Sequence, residues 1–226
     1  MVKAILFDVY NTLVKESKDV GMYYTEAIRA VYGLNVENIK LADYEGMTTQ
    51  ETITEILSRN GLGGKEINEK MPQFLEELPY SHYNVAGHDS AVLMAGAQDV
   101  LKSFSTDDNY AVGIATGMLE RIVRNMFERA GLNLDNLIKF GCYGNAGRDF
   151  SGILEHAVNQ AMVAGAQSGQ ILLVSSSASA LRAAKSRSVW AVGVATGKYS
   201  ASELQAAGAD MVAKNLKEVQ KAAKSY

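Results

Sequence analysis

The stretch "FDVYNTLV", residues 7–14, decides how the rest of this chain is interpreted. It closes the apolar run "VKAILFD" at 2–8, which has the composition of a strand buried on both faces. Asp8 therefore falls at the tip of a strand, with Tyr10 two residues further on and Thr12 after it. An acid in this position is a candidate nucleophile, and the tyrosine stands where a second acid might be expected.

The alternation of strands and helices predicts the fold. Near-continuously apolar runs recur at 110–116, 138–144, 171–175 and 189–196, and helical patterns separate them. This order predicts an α/β fold with a doubly wound parallel sheet, formed by residues 1–14 and 91–226. Residues 15–90 contain three helical stretches and no convincing strand, so they predict a helical cap inserted after the first strand.

Composition excludes several classes of protein. The 226 residues are 47% hydrophobic and carry a net charge of −3 with scattered basic residues, which argues against a nucleic-acid partner. No segment approaches the roughly 20 apolar residues of a membrane span, and no secretory signal opens the chain. We therefore expect a cytoplasmic protein. The single cysteine, Cys142, provides neither a disulfide framework nor a thiolate metal site, and we interpret it as a core residue.

Polar residues collect at the predicted strand ends, where ligands of open α/β sheets bind. Thr116 and Gly117 end the second strand, and three serines follow "ILLV". Each group opens a helix, whose free N–H groups favour an anion. Arg148 precedes another helix. These features predict a site for a small anionic molecule beneath the cap.

The order of these features resembles the haloacid dehalogenase (HAD) superfamily over essentially the whole chain. The family's first motif, Asp-x-(Asp or Tyr)-x-Thr, matches residues 8–12, its second motif matches Thr116, and its basic third motif matches Arg148, although "RDFS" replaces the usual Lys-Pro-x-Pro. Two segments, "GMLERIVRNMFERAGL" and "VGVATGKYSASELQAAGAD", are similar to phosphoglycolate-type phosphatases. The resemblance implies a Rossmann-like core with a helical cap and a hydrolase that uses Asp8 as nucleophile.

The resemblance also assigns expected roles to the polar residues. The catalytic candidates are Asp8, Tyr10, Thr12, Thr116, Arg148 and Ser176. The candidates for substrate contacts are Asn11, Gly117, Ser175, Ser177, Tyr23 and Thr48. Tyr23 and Thr48 belong to the cap, where the stretch "GMTTQE" at 46–51 is the expected determinant of substrate selection.

Departures from the family pattern leave three functions open. The phosphatases use a second aspartate in the first motif and two acids in the fourth motif to transfer protons and hold Mg²⁺, whereas this chain has Tyr10, Ser175-Ser176 and Ala180. Its fourth motif, "VSSSASA", is closer to that of true haloacid dehalogenases. A tyrosine, with a reference pKa of about 10, is a poor base at neutral pH.

The first hypothesis, narrowly favoured, is a metal-independent dehalogenase-like hydrolase, because a halide leaves without a proton or a metal. Its turnover would be slow or stalled, since Ala180 replaces the acid that helps water hydrolyse the ester. The second is a Mg²⁺-dependent phosphoglycolate-type phosphatase that recruits an unidentified carboxylate. The third is a non-catalytic binding protein. We predict no protein metal site and no cofactor unless the phosphatase hypothesis holds, and a homodimer is compatible with the sequence.

Several other motifs are interpreted as structural. "VGVATGKYS" at 192–200 lacks the spacing of a phosphate-binding P-loop. His82 and His88 are expected to be hinge or surface residues, and His156 is expected on a helix surface or in the core.

Overall fold

The computed structural model describes residues 2–16, 21–85 and 91–225. The elements of this part of the chain are, in order, β1 (Val2–Phe7), β2 (Val14–Glu16), α1 (Met22–Tyr32), a 3₁₀ helix (Leu41–Tyr44), α2 (Thr49–Arg59), α3 (Gly64–Val85), β3 (Ala91–Leu93), α4 (Ala97–Ser105), β4 (Tyr110–Ala115), α5 (Glu120–Arg129), β5 (Phe140–Cys142), α6 (Phe150–Val163), β6 (Ala166–Ser175), α7 (Ala178–Ser186), β7 (Trp190–Val194), α8 (Ala201–Ala206), β8 (Met211–Ala213) and α9 (Leu216–Ser225).

The core is a parallel sheet covered by helices. Within the described residues it has six strands in the order β5-β4-β1-β6-β7-β8. Strand β1 lies at the centre, where Ile5 pairs with Val112 of β4 and with Leu172 of β6. Separate clusters of buried apolar side chains, one containing Ile5 and the other Leu6, pack the two faces of the sheet. The predicted α/β fold with a doubly wound sheet is therefore confirmed.

The strand boundaries differ from the predicted runs at several points. Strand β6 begins at Ala166, ahead of the predicted start, because the polar stretch before Ile171 extends the strand without an apolar signal. Strand β8 was not predicted, since Met211–Ala213 is too short to show a period. The run at 138–144 contains only the short strand β5.

The cap comprises α1, the 3₁₀ helix, α2 and α3, as the sequence predicts for a helical insertion. Its first residues are a correction, because Lys15 and Glu16 belong to β2, which pairs antiparallel with β3 through Val14 and Leu93. This ribbon lies between cap and core. The expected hinges fall partly on 17–20 and 86–90, outside the described residues, as does His88. None of the described helices has the length and apolar character needed to cross a membrane.

His82 is not a surface residue. Its side chain is fully buried near the end of α3, with Nε2 2.8 Å from Glu16 Oε1 and Nδ1 3.2 Å from Asn125 Nδ2. It therefore joins the cap to β2 and to α5, a burial that the polar sequence around it did not suggest. His156 is exposed on α6, and Cys142 is a free, buried thiol, both in agreement with the sequence.

Candidate active site

Asp8 lies at the carboxyl end of the central strand, where the ends of β1, β4 and β6 meet. Its carboxylate is buried and accepts two short hydrogen bonds, from the Val9 N–H (2.8 Å to Oδ1) and from Ser175 Oγ (2.7 Å to Oδ2). The Thr116 hydroxyl also hydrogen-bonds to it. The structure thus brings together three of the polar residues that the sequence placed at strand ends.

The surroundings of Asp8 change its acidity. Burial raises the pKa of Asp8 to about 6, against the lowering effect of hydrogen bonds from Ser175, Val9 and Thr116. The negative charge of Glu45 contributes to the rise. Asp8 is consequently ionised at neutral pH but is a stronger base than an exposed aspartate.

The turn after Asp8 is held by hydroxyl groups of the fourth motif. Thr12 Oγ1 accepts the Ser176 N–H at 3.0 Å, and Ser176 Oγ donates to the Tyr10 carbonyl at 3.2 Å. Asn11 has a positive φ of 57°, and its carbonyl accepts the Thr196 hydroxyl at 2.6 Å. Thr12, Ser176 and Asn11 therefore fix the turn that positions Tyr10.

A cavity of about 50 Å³ adjoins the Asp8 carboxylate, and we refer to it as the Asp8 cavity. Its walls come from the tip of β1, the segment after β4, the starts of α6 and α7, and the cap. The lining residues are Asp8 and Tyr10, then Thr116, Gly117 and Met118, then Phe150 and Ser177, and finally Glu45, Gly46 and Met47 of the cap. The site is therefore shared between core and cap.

A second cavity of about 80 Å³ extends from the Asp8 cavity beneath the cap helices. Tyr10 and Glu45 line both cavities, and Tyr23 and Tyr24 line only the second. The Tyr24 hydroxyl bonds to Thr49 and Thr52 of α2, and burial raises the pKa of Tyr24. Tyr23, a predicted substrate contact, is thus one cavity away from Asp8.

The cap loop, defined here as residues 45–51, is fastened to the core by hydrogen bonds. The Thr49 N–H donates to the Gly117 carbonyl at 2.9 Å, and Gln50 Nε2 donates to the Gly144 carbonyl at 3.3 Å. Thr48 Oγ1 donates to the Arg148 carbonyl at 2.7 Å and accepts the Glu51 N–H, which caps α2. Thr48 is fully buried in this role and lines neither of the two cavities described above.

The structure does not bring the Arg148 side chain to Asp8. It is exposed and lines a separate cavity of about 440 Å³ with Gln50 and Glu51 of α2. Its guanidinium forms no hydrogen bond or ion pair within residues 2–16, 21–85 and 91–225. The adjacent Asp149 caps α6 by accepting the Gly152 N–H at 2.9 Å, so the backbone rather than the side chain of Arg148 faces the cap loop.

The residue that sequence reasoning missed is Glu45. It lies one position before the 46–51 stretch and lines both cavities. Its Oε1 atom is buried and has no hydrogen-bond partner in the described part of the chain. The only sequence signal was its place directly before Gly46, in a segment without a helical or strand period.

Comparisons with known proteins were made on the sequence and on the fold. A family model described as haloacid dehalogenase-like hydrolase matches residues 2–157. No curated protein sequence matches the chain. Solved structures match over nearly their whole length, including a predicted phosphatase from Clostridium acetobutylicum (TM-score 0.73, 15% identity, 100% of each chain covered).

Two further structures are similar to a comparable degree. CbbY from Rhodobacter sphaeroides, solved in complex with phosphate, aligns with a TM-score of 0.71 and 19% identity over 97% of this chain and 96% of its own. A predicted phosphoglycolate phosphatase from Haemophilus somnus aligns with a TM-score of 0.70 and 16% identity over 98% and 97%. At these identities the likeness concerns the fold.

Proposed function

Because this chain belongs to the haloacid dehalogenase-like hydrolase family, we propose that it hydrolyses small phosphate monoesters with Asp8 as the nucleophile and a divalent cation as cofactor. The fold supports a phosphatase, since several solved relatives are phosphatases by name and CbbY was crystallised with phosphate. This proposal reverses the order of the first two hypotheses drawn from the sequence.

The observation that carries the proposal is the charge of the Asp8 cavity. Asp8 and Glu45 line it, whereas Lys, Arg and His are missing from its described lining. The metal-independent dehalogenation hypothesis relied on Arg148 to hold the substrate carboxylate, but that side chain is exposed beside a different cavity. An anionic substrate next to two carboxylates needs a compensating cation. A phosphatase that binds Mg²⁺ supplies one.

The donors at the tip of β1 fit such an ion. They are oxygen atoms only, from the Asp8 carboxylate, the Tyr10 carbonyl and the Ser175 hydroxyl, and oxygen is the donor that Mg²⁺ prefers. The described residues contain no group of three or more His, Cys, Asp or Glu side chains placed to hold a metal. Mg²⁺ is often bound by one or two carboxylates, with water and substrate phosphate completing its shell. Asp8 would hold it here, and the bound ion would offset the charge of the phosphoryl group.

The protein groups around Asp8 support attack on phosphorus. The Val9 N–H and the Ser175 hydroxyl fix the orientation of the carboxylate, and burial removes it from bulk water. An oxygen of Asp8 would bond to phosphorus as the bond to the ester oxygen breaks, giving an aspartyl phosphate and an alcohol. Thr116 and Ser177 line the same cavity and can donate hydroxyl groups to phosphoryl oxygens.

Dehalogenation of a small 2-halo acid is the second candidate. It is favoured by Tyr10 beside Asp8 and by the serine pair of the fourth motif, because release of a halide requires no proton donor. In this reaction Asp8 would attack carbon to give a carboxylic ester.

The test is to incubate the protein with a panel of phosphate monoesters and 2-chloro acids, with Mg²⁺ or with EDTA. We expect phosphate release that requires Mg²⁺ and disappears in Asp8→Asn, with the exposed Asp99→Asn as a variant that retains activity. Halide release in EDTA would favour the second candidate. No reaction with either panel, from a folded protein, would instead support a non-catalytic binding protein.

A further inference from the structure

Glu45 is a carboxylate delivered to the Asp8 cavity by the cap. It follows the 3₁₀ helix Leu41–Tyr44, and its Oε1 is directed at the core. A β-carbon added to Gly197 would lie 2.7 Å from this oxygen and 3.3 Å from Ser176 Oγ. The Glu45 carboxylate therefore reaches the loop after β7 and the fourth motif, although it starts from the other domain.

The position of Glu45 is fixed by the residue that follows it. Gly46 has a φ of +93°, a conformation that side chains rarely adopt, and its carbonyl accepts a hydrogen bond from the Ser179 hydroxyl. An added β-carbon at Gly46 would lie 2.8 Å from Ser177 Oγ. On the other side, Lys198 Nζ donates to the Ala42 carbonyl at 3.1 Å. The backbone on both sides of Glu45 is thus attached to the core.

A buried carboxylate oxygen without a partner is energetically unfavourable, because it has lost water and gained no donor. Glu45 Oε1 is in this situation within the described structure. Nearby hydroxyl groups donate elsewhere, as Ser176 Oγ does to the Tyr10 carbonyl. This oxygen is therefore available to a proton donor that enters the cavity, such as water or a substrate hydroxyl.

We infer that Glu45 is the acid–base catalyst of this site and performs the proton transfers for which Tyr10 is unsuited. The inference rests on the proposed phosphatase function and identifies the carboxylate that the sequence could not supply. A glutamate, with a reference pKa of about 4.3, accepts a proton from water at neutral pH far more readily than a tyrosine with a reference pKa of about 10.

The proton transfers balance over the two half-reactions. In the first, Asp8 oxygen bonds to phosphorus, the bond to the ester oxygen breaks, and protonated Glu45 gives its proton to that oxygen to form an alcohol. In the second, water oxygen bonds to phosphorus, the Glu45 carboxylate takes a proton from this water, and the bond between phosphorus and Asp8 oxygen breaks. Phosphate leaves, and both side chains return to their starting states.

The experiment compares Glu45→Gln with Asp43→Asn, which removes one charge from an exposed position of the same segment. Two substrates are used, glycerol phosphate, whose alkoxide needs a proton, and 4-nitrophenyl phosphate, whose phenolate leaves without one. For Glu45→Gln we expect kcat on glycerol phosphate to fall by about 10²–10⁴-fold, the usual contribution of general acid–base catalysis. Asp43→Asn should stay within about twofold of the wild type, since it does not line the cavity.

The aryl ester isolates the second half-reaction. Glu45→Gln should release a burst of nitrophenol equal to the enzyme concentration, followed by slow turnover, and intact-mass analysis should find one phosphoryl group on the protein. That adduct should be missing when Asp8→Asn is combined with Glu45→Gln. Melting temperatures of all variants establish that the comparison is between folded proteins.

Two results would overturn the inference while the proposed function stands. One is a Glu45→Gln variant whose turnover of glycerol phosphate is within about threefold of the wild type. The other is an equal loss on both esters without a burst, together with a higher Mg²⁺ requirement, which would make Glu45 a cation ligand. If the wild type releases phosphate from neither ester, the inference fails together with the proposed function.

Discussion

Replacing Asp8 with asparagine is expected to change how the stability of the metal-free protein depends on pH. Burial raises the pKa of Asp8 to about 6 in the folded protein, from its ordinary value of 3.8. The folded state therefore binds this proton more tightly than the unfolded state, so the associated stability is present below pH 3.8 and is lost as the pH rises through about 6. A difference of about two pKa units corresponds to about 3 kcal/mol. Asparagine does not titrate and avoids this loss.

The measurement is urea unfolding in EDTA from about pH 4 to about pH 8 for wild type, Asp8→Asn and Asp99→Asn. The unfolding free energy of Asp8→Asn should rise relative to wild type by about 3 kcal/mol over this range. A constant offset of about 1 kcal/mol is also expected, because an amide leaves the Val9 N–H or the Ser175 hydroxyl without an acceptor. Asp99 is exposed, so its replacement removes no burial penalty. A difference between wild type and Asp8→Asn that stays flat with pH would refute the reasoning.

Two further substitutions test the cap loop and the basic residue of the third motif. Gly46→Ala should lower the unfolding free energy by roughly 2–4 kcal/mol, because it adds strain at a positive φ to a clash with Ser177 Oγ. Gly33→Ala, also at a positive φ but with open space around the added carbon, should cost only about 1 kcal/mol by the same urea measurement, and equal losses would contradict the contact. Arg148→Gln should change kcat/KM by less than about threefold in a steady-state assay, because its side chain is exposed away from Asp8. A loss of 10²-fold or more would return this arginine to the reaction.

The part of the site that lies on the sheet could be predicted from the sequence. Parallel strands place their carboxyl ends at one edge, so Asp8, Thr116 and Ser175 had to converge once three buried strands were recognised. Glu45 could not be found in this way. Its approach to the core depends on the path of an irregular segment between two cap helices, which has no periodic signal.

Two other errors have similar causes. Motif position predicted the location of Arg148 but not the direction of its side chain, which is set by the start of α6 at the Asp149 cap. His82 stands in a polar stretch of sequence, yet the close packing of α3 against β2 and α5 buries it. In both cases local composition was a poor guide because a tertiary contact decided the outcome.

The bonds that fasten the cap loop have a consequence for how this chain can change over evolution. On the core side the acceptors are the main-chain oxygens of Gly117, Gly144 and Arg148, which every amino acid provides. Mutation at position 148 can therefore replace the side chain without removing the oxygen that Thr48 requires. The third motif is free to drift in sequence while the lid over the catalytic aspartate keeps its seat.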